Sequence, residues 1–264
     1  MGLAKLKTPD EDDDLKYFMK NMMRGLRIPH TELEPLREKM SPGETVELHD
    51  GMYINNGKDL QPLRGREMRH SLQTYNGRFM WPLEPYADEI DYISVAHGTA
   101  CEYRYGNQSP YPYPVAWHSV ALSHVVPPRF AKAALIHDAS EAYLKDIPRT
   151  IRRQEPFKSI YDAIERKLLI ACFEHFDVDF GLMDNDEFLF YDVKMSWCEM
   201  AVWSRTNLVF KAKMNIMFAS EKVDGVRIED SLDGDYIEWV EKCPRHDVWQ
   251  NAEVAWLERY NELF

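Results

Sequence analysis

The sequence predicts an all-α protein, a helical bundle with a small α/β extension at its N-terminus. Three observations predict it. From Gln73 onward, apolar residues recur at helical spacing in one segment after another. Strand signals are confined to one early stretch, "ETVELHDGMYINNGKDLQPL". A chain of 264 residues can also bury a sizeable core in one large domain beside an extension. The extension is placed at residues 1–70 and the helical domain at 71–264.

Taken in order, "PDEDDDLKYFMKNMMRGLRI" sets acids ahead of a Phe/Met stripe, so a first helix with anions at its N-terminus is expected. Two short strands should follow around the Asn56-Gly57 turn signal. "ADEIDYISVAHGTACEYRY" is helical in spacing from Ile90 through Ile93 and Ala96–His97 to Ala100, and the Pro/Gly-punctuated "GNQSPYPYP" ends it. "VAWHSVALSHVV" is the next helix. Pro127-Pro128 open another, "PRFAKAALIHDASEAYL", because proline is tolerated in a first turn. "KSIYDAIERKLLIACFEHF" is strongly amphipathic, with Ile160, Ile164, Leu168 and Ala171 on one face. "EFLFYDVKMSWCEMAVW" and the tail "VWQNAEVAWLERYNELF" make two more helices, and "VDGVRIEDSLDGDY" reads as loop. No repeat or low-complexity tract interrupts the series.

Charge and composition exclude several classes of function. A net charge of −12 argues against sequence-independent binding of duplex nucleic acid, which needs a basic footprint. It leaves room for a small anionic substrate, since a cation and a few arginines can override the global field locally. No apolar run approaches membrane-spanning length, so no membrane partner is expected. "MGLAKLKTPDEDDDLK" has no apolar core of a secretory signal, and Lys5 and Leu6 stand where a lipidation signal usually has Ser or Thr. Cys101, Cys172, Cys198 and Cys243 lie far apart, which fits reduced core thiols in a cytoplasmic protein.

One constellation carries chemistry. His118 sits mid-helix in "VAWHSV", and His137 and Asp138 sit side by side in "ALIHDASEAYLKDIP". Glu141 follows them by four and three residues, so one helix face would present all three groups. Asp192 lies within the apolar "FLFYDVKMSW", where a carboxylate needs a partner. Two imidazoles and two carboxylates make a nitrogen/oxygen ligand set for one divalent metal, such as Mn, Co, Zn, Fe or Mg. Positions left to water and substrate oxygen would then serve hydrolysis.

These residues match a family. "ALIHDASEAYLKDIPRTI" resembles the signature helix of HD-domain metal-dependent phosphohydrolases, especially the 5′-deoxynucleotidase-like branch and its phage relatives. The resemblance runs upstream through "TYNGRFMWPLEPYADEIDYISVAHGTACEYRYGNQSPYPYPVAWHSVALSHVVPP". Downstream it covers "DVKMSWCEM" and, weakly, "AEVAWLERYNEL", so it spans residues 72–264. It implies that His118, His137, Asp138 and Asp192 bind the metal. It makes Glu141 the carboxylate that positions or deprotonates water, and Asp146 the holder of a sugar hydroxyl. Arg104 would bind phosphate, and Tyr105 would stand in for an aromatic that packs on the nucleoside. The activity implied is release of phosphate from deoxynucleoside 5′-monophosphates. The same metal core also serves release of tripolyphosphate from a dNTP. A non-catalytic nucleotide sensor, with the extension as its contact surface, is the reading from another class. Self-association is common in the family, and the helical surfaces permit it. Related phage sequences often carry Gly-Gly-His after the arginine, whereas this chain reads "GNQSPYPYP", so no base preference is implied.

Other residues have plainer readings. His49-Asp50 and His246-Asp247 are expected to be surface pairs, since neither has a glutamate four residues later on an apolar helix. Asp184 and Asp186 fit a helix N-cap region better than a ligand set. His97 reads as a packing residue near the site, and "YPYPVAW" as loop packing. Arg149, Arg152 and Arg153 suit a phosphate or a solvated helix face equally well.

Overall fold

A computed structural model describes residues 37–48, 51–57, 59–205 and 232–264, and the chain parts into two units between Trp81 and Pro82. The first helix expected at residues 9–28, the His49-Asp50 pair and most of the loop expected at 223–236 lie outside the described residues. Helices dominate, and the strands belong to the N-terminal unit, so an all-α class with a small strand-bearing extension holds.

In the N-terminal unit, β1 (Thr45–Leu48), β2 (Gly51–Asn55) and β3 (Leu60–Pro62) form an antiparallel sheet in that order. The Asn56-Gly57 turn joins β2 to β3, with Gly57 at φ +94° where a side chain would be strained. β1 is a third strand beyond the two expected, pairing Leu48 with Gly51. Buried Asn55 fixes the corner: its amide donates to Met40 O at 2.8 Å and its carbonyl accepts from Gly57 N–H at 2.9 Å. β4 (Leu72–Gln73) and β5 (Phe79–Met80) make a hairpin where helix was expected to begin. Two-residue strands are too short to show a period of two in sequence.

In the second unit, α1 (Tyr92–Cys101) starts where the Asp91 carboxylate accepts from Ser94 N–H at 2.8 Å. Glu102 is extended and the chain doubles back, with Tyr103 bridged to Pro114 and Arg104 N–H donating to Tyr113 O at 2.9 Å. That ladder carries Arg104 to the start of α2 (Val115–Val125), which is buried all round from Val115 to Ser123. The helix expected over 128–144 is broken. Pro128–Phe130 form a 3-10 turn, α3 (Ala131–Ile136) follows, and residues 137–140 wind tightly into α4 (Glu141–Leu144). Bonds three residues back, Ala139 N–H to Ile136 O and Glu141 N–H to Asp138 O, replace the α-helical ladder there. The single helical face expected for His137, Asp138 and Glu141 is therefore a wound turn.

α5 (Arg149–Arg152) leads to α6 (Phe157–His175), whose buried side is Tyr161, Glu165, Leu168 and Cys172. Ile160, expected on that side, is 58% exposed. Asn185 caps α7 (Asp186–Ser204) by accepting from Glu187 and Phe188 N–H. α8 (Gly234–Glu241), capped by Asp233, begins inside the stretch expected to be loop, and α9 (Val248–Leu263) closes the chain. α9 lies across α1, α2 and α3. Buried Trp256 donates to Leu135 O at 3.1 Å, and Arg259 donates to Ser123 O at 2.9 Å near the end of α2. All four cysteines are free, and three are core thiols as expected; Cys101, at the last residue of α1, is exposed instead. Among the described residues no helix is long and apolar enough to cross a membrane.

Gly98 lets α1 approach α4. A Cβ built there would lie 2.7 Å from Ala142 Cβ and 2.9 Å from Ala142 O, closer than packed atoms allow. Gly98→Ala should therefore push α4, and Glu141 with it, away from α1. The expected cost is about 1–3 kcal/mol of overpacking, read as a lower melting temperature; an unchanged melting temperature would refute the close contact.

Candidate metal centre

Four elements bring the site together: α2 supplies His118, the turn after α3 supplies His137 and Asp138, α4 supplies Glu141, and α7 supplies Asp192 and Glu199. The orientation of the two imidazoles organises everything else. His137 Nδ1 lies 2.8 Å from Ala134 O, an atom that only accepts, so Nδ1 carries the proton. His118 Nδ1 lies 2.6 Å from Glu199 Oε1. Burial opposes ionisation of Glu199, yet Arg104 and His118 hold its pKa below the ordinary value, so it too accepts. Both rings thus present Nε2 to the same point.

At that point stands Asp192, whose Oδ1 is 3.1 Å from His118 Nε2 and 3.7 Å from His137 Nε2. The ligand atoms of His118, His137 and Asp192 all lie within 4.8 Å of one another, and the group could hold a metal ion. A cation bound at about 2.0–2.2 Å from each donor would set them about 3–4 Å apart, and Asp192 Oδ1 stands at such distances from the two ring nitrogens. His137 Nε2 is buried without an aligned hydrogen bond, although Asp138 Oδ2 is 3.1 Å away. Two lone pairs facing carboxylates require a shared positive charge, either protons or a metal cation. Electrostatics says the same. Burial works against charging His137, but Asp138 and Asp192 lift its pKa well above the ordinary value. Burial likewise opposes Asp192, which the two imidazoles hold well below the ordinary range.

Asp138, expected as a fourth ligand, stands beside the three-residue group. Its Oδ2 is 3.1 Å from His137 Nε2, 4.0 Å from His118 Nε2 and 3.3 Å from Arg104 Nη1. Against the effect of burial, His137, His118 and Arg104 bring its pKa down to about 2. Asp138 thus faces the centre while tied to a guanidinium outside the three-residue group. Among the described residues Glu141 Oε2 is buried with no hydrogen-bond partner, and burial, Asp138 and Asp146 push its pKa well above the ordinary value.

Arg104 and Tyr105, expected to face substrate, are turned inward. The Arg104 guanidinium reaches Asp138, Ser196 Oγ at 3.0 Å and Glu199 Oε2 at 3.3 Å. Tyr105 OH donates to Glu199 Oε2 at 2.6 Å, and its ring stands edge-on to Trp203 at 4.9 Å. Tyr105 has φ +63°, a conformation that costs a bulky residue about 1–3 kcal/mol. The hydroxyl bond, together with Tyr105 N–H donating to Asp146 Oδ2 at 2.9 Å, holds it there. Tyr111 and Tyr113 also pack edge-on to Trp203, as loop packing requires.

Glu199 is the residue that sequence reasoning undervalued. It is fully buried and joins His118, Arg104 and Tyr105 at once. A signal existed: it follows Asp192 by seven residues, two helical turns, on an apolar helix. The plainer readings fit the geometry. His97 packs against Trp249 and reaches Glu253 at 3.1 Å, His246 and Asp247 are exposed, and Asp184 pairs with Arg166 at 3.0 Å.

No family model matches the chain. It is similar to a protein described as "Uncharacterized protein YfdR" from Escherichia coli (strain K12), 33% identical over 97 residues. That alignment covers 37% of this chain and 53% of the relative, so the chain spans about half the length of the protein it matches.

Proposed function

We propose that the chain is an HD-domain metal-dependent phosphohydrolase that releases phosphate from deoxynucleoside 5′-monophosphates. The observation that carries the reading is the convergence of two anchored Nε2 atoms and Asp192 beside a buried, unpartnered Glu141 oxygen. His118, His137 and Asp192 would hold a divalent cation, with Asp138 on the same centre. Such a cation supplies Lewis acidity toward a phosphoryl oxygen and acidifies water.

The chain's own residues do the rest. Glu141, whose buried oxygen has no hydrogen-bond partner among the described residues, accepts the proton of the attacking water. Glu199 and Ala134 O keep both imidazoles in the tautomer that turns Nε2 inward. Arg104 ties Asp138 to Glu199 across the site. Asp146, half-buried, keeps one oxygen on Tyr105 N–H and is the candidate to hold a sugar hydroxyl.

The test is elemental analysis of the purified protein followed by product assays over a nucleotide panel with added manganese. Orthophosphate from deoxynucleoside monophosphates is the expected product; tripolyphosphate from a dNTP would favour the triphosphohydrolase reading. Glu141→Gln should keep its metal and lose about 10²–10⁴-fold in turnover. Asp138→Ala should lose both metal and turnover. Metal and nucleotide binding without any product from wild-type protein would overturn the enzymatic reading and leave a sensor.

A further inference from the structure

We infer that Glu102 and Tyr161 are positioning residues: they hold Lys145 in a backbone conformation nearly reserved for glycine and so set the Asp146 carboxylate for the substrate. This rests on the phosphohydrolase reading, in which Asp146 takes a sugar hydroxyl. Lys145 follows the last residue of α4 with φ +76° and ψ 151°. A residue with a side chain is strained at those angles. It stays there only where its surroundings over-determine it, and such residues cluster at functional sites.

The turn is gripped from two sides. Glu102, just after α1, uses both carboxylate oxygens on it: Oε1 accepts from Asp146 N–H at 3.2 Å, and Oε2 pairs with Lys145 Nζ at 2.9 Å. From α6, buried Tyr161 donates its hydroxyl to Lys145 O at 3.0 Å. Lys145 O and Asp146 N–H belong to one peptide group, so Tyr161 holds its oxygen and Glu102 its hydrogen. Turning that peptide to relax Lys145 would break both bonds and swing Asp146 with it. The other end of Asp146 is fixed as well, with Oδ2 accepting from Tyr105 N–H at 2.9 Å. A Cβ at Gly106 would lie 2.8 Å from Pro148 Cγ, so the loop after Arg104 packs directly on the segment beyond Asp146. Asp146 in turn stands near enough to Glu141 to raise the pKa of that group. A strained turn pinned from α1 and α6 thus delivers one carboxylate beside the proposed base.

The experiment is steady-state kinetics of manganese-loaded full-length protein with deoxyadenosine 5′-monophosphate and with its 2′,3′-dideoxy analogue, which lacks the sugar hydroxyl. Tyr161→Phe removes one hydrogen bond and should raise KM for the deoxynucleotide about 10-fold. Its kcat and metal content should change little, and KM for the analogue should not move. Glu102→Ala should behave alike, and Glu102→Gln, which keeps an acceptor for Asp146 N–H, should recover part of the loss. In an Asp146→Ala background Tyr161→Phe should add nothing, because the group it positions is gone. Lys145→Gly relieves the strain, so the melting temperature should rise by about 2–4 °C while KM increases as the turn loosens. Wild-type KM in both Tyr161→Phe and Glu102→Ala, an equal rise on both nucleotides, or a lower melting temperature in Lys145→Gly would overturn the inference. A wild type that does not distinguish the two nucleotides would remove the hydroxyl contact and the inference with it. Failure of the hydrolase reading looks different: neither nucleotide is turned over. Both then serve as unconsumed ligands in a calorimetric titration, and the change in Kd on Tyr161→Phe decides the inference.

Discussion

Asp192→Ala is expected to lose bound metal and nucleotide hydrolysis together. Asp192 Oδ1 faces both ring nitrogens, at 3.1 and 3.7 Å, and is the anionic member of the three-residue group. Without it, the two imidazoles and Asp138 remain, and a hard divalent cation loses the carboxylate oxygen that faces both rings. Metal affinity should fall by more than about a hundredfold, since losing even a supporting partner costs about 10–100-fold. Stability offers a readout independent of activity. A cation at a hundred times its Kd stabilises a folded protein by about 2.7 kcal/mol, so added manganese should raise the melting temperature of wild type. It should do the same for Glu141→Gln and leave Asp192→Ala unmoved. A manganese-dependent rise in Asp192→Ala equal to that of wild type would remove Asp192 from the centre.

What could be read from the sequence depended on whether a signal was local. Asp192 was separable from Asp184 and Asp186 because an acid deep in an apolar helix needs a partner, whereas acids beside Asn185 suit a helix start. The structure places Asp184 on Arg166, Asp186 in the first turn of α7, and Asp192 beside the two histidines. The positions of His118 and His137 followed from helical spacing, but the break after Ile136 did not. Tight three-residue bonds there leave the same apolar pattern as a continuous helix. The inward roles of Arg104 and Tyr105 were illegible for a different reason. They depend on Glu199 and Ser196, about 90 residues away, and on a left-handed backbone at Tyr105 that no residue type announces. The β4–β5 hairpin and α8 were missed because two-residue strands and an eight-residue helix are too short to stand out from flanking turn residues.

Glu199→Ala should be the most destabilising single change at the site. Glu199 is 0% exposed, and its removal strands two buried donors, His118 Nδ1–H and Tyr105 O–H, and takes away the carboxylate 3.3 Å from the Arg104 guanidinium. Breaking a buried pair by deleting one partner costs about 3–5 kcal/mol, which in a chain of this size lowers the melting temperature by about 10 °C. Tyr105 also loses a bond that holds its backbone at φ +63°. Glu199→Gln keeps the shape and separates the two roles. Its amide can still accept from one neighbour, so part of the stability should return. Its NH₂ now meets a donor, so His118 should be less firmly oriented, and metal affinity should fall about 10–100-fold. The pH dependence has a definite sign. Glu199 titrates below its ordinary value of 4.5 when folded, so the stability it contributes is fully present above that value and fades as pH falls through the folded pKa. The gap in melting temperature between wild type and Glu199→Gln should therefore be widest near neutrality and shrink in acid. A gap that is absent at neutral pH, with metal content unchanged, would mean that His118 is held by something other than Glu199.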